Sequence, residues 1–313
     1  MSDPHPLPRV TVAICTYNRA AFLRQTLTGM TKQDWPAERL ELLVIDNRSS
    51  DSTADVVREF SQAPHVPRHV LETKQGLDHA RNRGIAEATG EIIVLADDDI
   101  LMEPDWIRQL AAPFIADTAG RIGCVGGEVV PVFPDGLPHW IREWHAPLAF
   151  RANAGPVPPS QSPMGANIAF RRSVFDRVGV FSTGLDRKGV SLFGGGDGEM
   201  VRRIREAGYD IWFAPAAKVL HQMPASRTTF RYAARHAFDS ARSRVADRAT
   251  RAGAAGYCVS RFLGNLIKAL GFALLAFIFF IVLRRDAAKQ ALVRAWRACG
   301  YLYQIPRSLC GVI

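Results

Sequence analysis

The chain is short of cysteine: five in 313 residues, Cys15, Cys124, Cys258, Cys299 and Cys310, with no Cys-x-x-Cys pair. An odd, scattered set of this kind builds neither a disulfide framework nor a zinc ribbon, and it points to a reducing compartment. Low-complexity tracts and internal repeats are lacking too. With 48% hydrophobic and 22% charged residues, a disordered, collagenous or coiled-coil chain is excluded. No secretion signal opens the sequence: residues 1–9 are polar and proline-rich, and the apolar run Val10–Cys15 is too short for a signal core. Acids are scarce in the rear. Residues 224–313 carry 15 Lys and Arg against 3 Asp and Glu, net +12, whereas residues 1–223 carry 24 against 27, net −3. A nucleic-acid binder of uniformly basic character does not divide this way. An acidic-leaning body with a basic, apolar rear suits attachment to an anionic membrane surface.

What is present is alternation. Val10–Ile14, Leu40–Ile45, His69–Glu72 and Ile92–Ala96 are short apolar strands; Phe22–Met30, Thr53–Phe60 and Leu77–Ala88 between them have helical spacing. Continuous apolar strands alternating with helices predict an α/β domain with a parallel sheet covered on both faces. In such sheets ligands bind beyond the carboxyl ends of the strands, where Asp46 and Asp97-Asp98-Asp99 fall. Trp106–Val132 adds a helix and a strand, and Pro131–Pro163 reads as a long loop. Gly165–Phe170 is a further strand and Glu199–Gly208 a helix after a Gly-rich turn. Ile211–Ala214 and Lys218–His221 read as two short strands split by Pro215.

Three adjacent acids after a buried strand repel one another and raise each other's pKa. A divalent cation relieves that repulsion, and hard oxygen ligands suit Mg²⁺ or Mn²⁺, which keep open positions for phosphate oxygens. Asp97 and Asp99 share a side if the chain stays extended, leaving Asp98 for a ribose hydroxyl or for support.

Several stretches resemble the family 2 glycosyltransferases: Val12-Ala13-Ile14-Cys15-Thr16-Tyr17-Asn18-Arg19, Val44–Asp51, Gly76 with Ala80-Arg81-Asn82 and Gly90-Glu91, and the Asp97–Asp99 triplet. The likeness continues through Gly165-Ala166-Asn167, Gly195-Gly196-Asp197-Gly198-Glu199-Met200, Gly208-Tyr209 and Pro215 to His221. It covers about residues 9–223, in order and in register. Members of that family are inverting enzymes of the GT-A fold, a Rossmann-like, mainly parallel mixed sheet flanked by helices. The resemblance implies a nucleoside-diphosphate sugar as donor and a glycan or lipid-linked hydroxyl as acceptor, as in surface polysaccharide assembly. It implies that Cys15, Thr16, Tyr17 and Asp46 hold the nucleotide, and that Asp97 and Asp98 continue that contact. Asp97, Asp99 and His221 would hold Mg²⁺ or Mn²⁺, and Asp197 would be the general base. Gly196 stands where an acid is common in the family. Gly195, Gly196, Trp140 and Glu199 are expected on the acceptor or sugar side, with His139, Trp144 and His145 as neighbours in the long loop. Trp140 serves equally as a hydrophobic anchor; Glu199 is a backup for the base or a first-turn helix acid; Arg81 contacts the diphosphate or forms a salt bridge to a strand-end acid; and His221 is a metal ligand or a satisfied imidazole under the sheet edge. The expected organisation is a nucleotide-sugar half (residues 1–105), an acceptor half with the base (106–223) and a rear segment (224–313).

In the rear, Phe230, Ala234, Ala237, Phe238, Ala241 and Val245 form one face of a basic amphipathic helix. Phe262–Leu283 follows, interrupted by Asn265 and Lys268, and its length matches a bilayer of roughly 30 Å. Basic residues flank it on both sides, so the positive-inside rule orients nothing. A single span, a hairpin returning with Ala291–Ile305, an interfacial helix and a buried soluble helix all fit. The expected location is the cytoplasmic face of a membrane. Two rivals remain open: a non-catalytic, membrane-tethered nucleotide-sugar binder, and a sugar-nucleotide pyrophosphorylase. The latter needs a Gly-rich basic loop where Cys15-Thr16-Tyr17-Asn18 stands.

Overall fold

A computed structural model describes residues 7–141, 153–183, 192, 194–249 and 254–310. They fall into two compact units. The first comprises Met1–Val132, Pro147–Phe181 and Asp197–Gln222; the second comprises Phe133–Ala146, Ser182–Gly196 and Met223–Ile313. Residues on both sides of position 105 therefore build one unit, and two inner loops group with the rear.

The first unit is a sheet covered by helices. Its strands are β1 (Val10–Thr16), β2 (Leu40–Asp46), β3 (Pro67–Leu71), β4 (Ile92–Asp97), β5 (Ile100–Met102), β6 (Ile122–Val132), β7 (Gly155–Pro156), β8 (Asn167–Arg171) and β9 (Asp210–Gln222). Spatial order is β3-β2-β1-β4-β8-β6-β9-β5, with β7 on β9. β1 to β4 pair in parallel, whereas β8 runs against β4 and β6, and β5 against β9. Every residue of β1 is buried, and successive side chains serve opposite faces. Val10, Val12 and Ile14 join one core with α1 (Ala20–Met30) and α4 (Trp106–Ala116). Ala13 and Cys15 join the other with α3 (Leu77–Glu87), α5 (Val174–Val178) and α6 (Gly196–Glu206). Helix α2 (Thr53–Glu59) links β2 to β3. Gly84 lets α3 lie against the sheet, since a Cβ there would stand 2.9 Å from the Ala13 Cβ.

One expectation is corrected here. Residues 210–222 form a single strand, not two. Pro215 is tolerated because the β6–β9 register shifts between Gly127 and Val129, so the residues after Ala214 bulge out of the ladder.

The second unit contains three long helices: α7 (Phe230–Ala249), α8 (Ala254–Ile281) and α9 (Arg285–Leu309). Helix α9 packs on both α7 and α8. Its close approach to α7 needs Gly300, where a Cβ would meet the Phe238 carbonyl and, at 3.0 Å, the Ala241 Cβ. The apolar face of the amphipathic helix α7 thus buries Ala234, Ala237, Ala241 and Val245 within the unit. By length and composition helix α8 is long and apolar enough to cross a membrane, and 11% of its apolar window is buried within the chain.

Candidate active site

Parallel strands that end level create the site's edge. Thr16 stands opposite Asp46 and Cys15 opposite Asp97. Beyond β4 the chain turns through Asp98 and Asp99 into β5, which pairs with the end of β9, Ile100 opposite His221. The Gln222 N–H donates to the Asp99 carbonyl at 2.9 Å, closing that ladder. Through it, His221 Nε2 stands 3.3 Å from Asp99 Oδ1 and 3.6 Å from Asp97 Oδ2. One ligand atom from each of Asp97, Asp99 and His221 lies within 4.8 Å of the other two. Two carboxylates and an imidazole are a donor set that fits Mg²⁺ or Mn²⁺.

Asp98 is committed inside the protein. Its Oδ2 accepts from the Thr16 hydroxyl at 2.7 Å and its Oδ1 from Arg19 Nη1 at 2.6 Å. Burial pushes its carboxyl up to about 7, against the pull of Arg19 and with the push of Asp99. The other amino group of Arg19 donates to Asp99 Oδ2 at 2.6 Å, so Arg19 anchors both acids. Both carboxylate oxygens of Asp98 are thus engaged within the protein. Asp46 is likewise engaged: its Oδ1 accepts the Ser49 N–H at 2.7 Å and its Oδ2 lies 3.0 Å from His69 Nε2 on β3. Tyr17 is exposed just past β1, but the Cys15 side chain lies in an apolar core. Burial pushes its thiol up to about 12 despite the nearby Arg81.

Asp197 reaches the same edge by a different route. Strand β8 runs against β4 with Asn167 opposite Ala96, so Gly165 stands just beyond the carboxyl end of β4. The Gly165 N–H donates to Asp197 Oδ2 at 3.1 Å. Arg81 Nη1 lies 2.7 Å from Asp197 Oδ1 and 3.0 Å from Asp78 Oδ1. Burial by itself would lower the Arg81 pKa, but the charges of Asp197, Asp78 and Asp97 outweigh it and hold the guanidinium firmly protonated. The Arg81 side chain is 7% exposed and that of Asp197 34% exposed: a buried cation aims a carboxylate that still meets solvent. Asp197 lies in the first turn of α6.

The Gly165-Ala166-Asn167 stretch has a structural reason at each end. A Cβ on Gly165 would stand 2.5 Å from both Asp197 oxygens. Asn167, fully buried, accepts from the Trp106 indole at 3.0 Å and donates to the Glu128 and Ala217 carbonyls at 3.0 and 2.7 Å.

Of the residues expected on the acceptor side, Glu199 belongs to the first unit and Trp140, Gly195 and Gly196 to the second. Glu199 pairs along its own helix with Arg203 at 2.7 Å, as a first-turn acid does. Trp140 is buried in the second unit, ring to ring with Phe230 at 6.1 Å. His139 lies 3.3 Å from Asp286 in that unit; Trp144 and His145 lie outside the described residues. Gly195 and Gly196, the latter the first residue of α6, group with the second unit, and just before them Ser243 accepts the Gly194 N–H at 2.9 Å and Asp239 the Leu192 N–H at 3.2 Å. Sequence reading missed those two helix residues, and His69, Asp78 and the bridging use of Arg19. A buried Asp and Ser spaced i, i+4 on an otherwise Ala-rich helix face were the available signal.

The mixed sheet flanked by helices, with its acidic edge at the carboxyl ends of the parallel strands, is the GT-A fold of glycosyltransferases. The family model for glycosyl transferase family 2 matches residues 11–179, more than half of the chain, and the protein belongs to that family of enzymes. It is 27% identical over 228 residues to a glucosyl-dolichyl phosphate glucuronosyltransferase of Haloferax volcanii, covering 71% of this chain and 72% of the relative. It is 30% identical over 232 residues to a probable glycosyltransferase, YdaM, of Bacillus subtilis, covering 70% of this chain but only about half, 51%, of that relative. Among solved structures it resembles the mannosyltransferase PcManGT of Pyrobaculum calidifontis in complex with GDP-Man and Mn²⁺, with TM-score 0.57 and 22% identity over 99% of this chain and 76% of that one. Residues 1–349 of S. aureus TarS in complex with UDP give TM-score 0.53 and 16% identity, over 97% and 92%. At these identities the structural likenesses establish the fold.

Proposed function

We propose that the enzyme transfers a sugar, with inversion at the anomeric carbon, from a nucleoside diphosphate to a hydroxyl of a glycan or lipid-linked acceptor in surface polysaccharide synthesis. The observation that carries this reading is the meeting of two charge centres at one sheet edge: Asp97, Asp99 and His221 on one side, and Asp197, held by Gly165 and Arg81, on the other. Mg²⁺ or Mn²⁺ held by Asp97, Asp99 and His221 would offset the charge that builds on the departing diphosphate. The exposed Tyr17 ring and the Asp46 loop, braced by Ser49 and His69, are the groups offered to base and ribose. Asp197 then accepts the proton of the attacking acceptor hydroxyl. Arg81 fixes the carboxylate's direction, so the oxygen nucleophile and the anomeric carbon can align for in-line attack. Inversion follows from a single displacement with no enzyme-bound intermediate.

Membrane attachment through the second unit, at the cytoplasmic face, is part of the proposal. It rests on the net charge of +12 in residues 224–313 and on the exposed apolar helix α8. The catalytic reading is tested by titrating UDP and GDP with Mn²⁺, with Mg²⁺ and with EDTA. Affinity for one diphosphate should depend on the cation and vanish in Asp99→Asn and in His221→Ala. Cation-independent binding in all three proteins would refute it. Retention of diphosphate binding in a wild type that turns over no donor would favour the non-catalytic binder.

A further inference from the structure

We infer that α8 does not cross the bilayer but lies in the plane of one leaflet, as the lipid-facing half of a helical hairpin. The inference rests on the membrane attachment proposed above and specifies its mode. Three observations within the second unit lead to it.

The first is the distribution of residues around α8. Leu263, Ile267, Leu270, Leu274, Phe277 and Ile281, all exposed, alternate at spacings of four and three and form one continuous stripe. Cys258, Asn265, Phe272 and Ala276 form another stripe, where Cys258 joins Ile305 of α9 in a buried cluster and Phe272 carries the Arg294 guanidinium at 5.7 Å. That second stripe faces α9. At about 100° per residue, the two stripes lie on opposite sides of the helix. Arg261 and Lys268, the two charges of α8, fall beside the stripe that faces α9. The outward face is thus free of charge along its length.

The second is what α9 would carry inward. It returns alongside α8 and bears Arg285, Asp286, Lys289, Arg294 and Arg297. Arg294 sits at Phe272, inside the window Ala255–Ile281. If α8 stood upright, that guanidinium would be drawn toward the hydrocarbon centre, where each charge is disfavoured on the order of a hundredfold. With the hairpin lying flat, α8 meets the acyl chains and the α9 charges stay at headgroup level. Arg284 and Arg285 at the bend, with Arg261 and Lys268, then complement anionic headgroups.

The third is the bend itself. The Arg284 N–H donates to the Phe279 carbonyl at 2.8 Å and the Leu283 N–H to that of Phe280 at 3.1 Å, the double bond pattern of a helix stop that favours glycine in the left-handed position. Leucine occupies it here, at φ 57°, and is 77% exposed. Within the described residues its side chain has no packing to offset that conformation. An acyl environment supplies it.

The test uses the full chain on vesicles of phosphatidylglycerol and phosphatidylcholine. A fluorescent amino acid replaces Leu263, Ile267, Leu274 or Ile281, one at a time, and is quenched by lipids brominated at shallow or deep acyl positions. The expected result is the same shallow depth at all four, with binding that weakens as phosphatidylglycerol is withdrawn. An upright helix would instead spread Leu263 and Ile281 over about 27 Å of depth, with deep quenching between; that overturns the inference and leaves membrane attachment standing. Failure of the unlabelled chain to float with either vesicle removes membrane attachment itself. If that chain is also dimeric by light scattering, the α8 stripe is a contact between copies.

Discussion

Gly165 is the position where one methyl group tests the geometry of the base. Its Cβ would stand 2.5 Å from both oxygens of Asp197 and crowd Arg81 as well. Relief requires the carboxylate to swing away from the Gly165 N–H, or Arg81 to leave the Asp78–Asp197 pair. Arg81 is buried and cannot move freely, so Asp197, the more exposed partner, yields. Over-packing of this kind costs about 1–3 kcal/mol of stability. A displacement of about 1 Å at a reacting group costs about a hundredfold in rate. Gly165→Ala should therefore lower kcat by about two orders of magnitude. Affinity for the donor diphosphate should be unchanged, because Asp97, Asp99 and His221 are untouched. Single-turnover transfer of a radiolabelled sugar, beside calorimetric titration of the diphosphate, separates the two quantities. Wild-type kcat in a folded Gly165→Ala protein would refute the view that this backbone N–H aims the carboxylate. Equal losses in kcat and diphosphate affinity would refute the separation of the two centres.

Three other expectations follow from the same contacts. Asn167→Ala strands the Trp106 indole N–H and the buried Ala217 carbonyl; at about 1–3 kcal/mol per buried group, the denaturation midpoint should fall accordingly, and an unchanged midpoint would show that water replaces the amide. Asp51 accepts the Ala20 N–H at 3.0 Å and the Thr53 N–H at 3.1 Å, tying the first turns of α1 and α2. Burial raises its carboxyl pKa, but the Thr53 and Ala20 hydrogen bonds outweigh this and hold it below the ordinary value. Its contribution is therefore present above the unfolded value of about 3.9 and lost as pH falls through the lower folded one. Asp51→Ala should cost about 1 kcal/mol at neutral pH, and its unfolding curve should converge on the wild type's in acid. With its thiol pushed up to about 12 by burial, Cys15 should resist alkylation in the native protein at pH 8, whereas exposed Cys310 reacts; mass spectrometry after a short iodoacetamide pulse distinguishes them.

The sheet was legible because its parallel strands are short continuous apolar runs, each closed by a polar turn. Val10–Cys15, Leu40–Ile45 and Ile92–Ala96 could be located from composition alone, and with them the edge where Asp46 and Asp97 stand. Residues 210–222 were harder, because a proline normally ends a strand, and only the pairing with β6 reveals the bulge that accommodates it. Strand β5, three residues long, carries no periodic signal, yet it is what carries His221 to Asp99. The identity of the acids was readable, but their division of labour was not. That Asp98 and Asp99 both bind Arg19 depends on a side chain some 80 residues earlier in the chain. Trp140 shows the converse: an aromatic in a proline-rich loop suits a sugar platform and a core anchor equally, and its packing against Phe230 is a contact that no local sequence pattern announces.

In the proposed mechanism Asp197, aimed by Arg81 and Gly165 at the edge where Asp97, Asp99 and His221 meet, takes the acceptor's proton. Asp197→Asn keeps the shape and the Gly165 contact but removes the base. The most direct measurement is the kcat for sugar transfer in this variant, with diphosphate affinity measured on the same preparation. The account predicts a loss of about 10²–10⁴ in kcat with affinity retained. Transfer at the wild-type rate would contradict it.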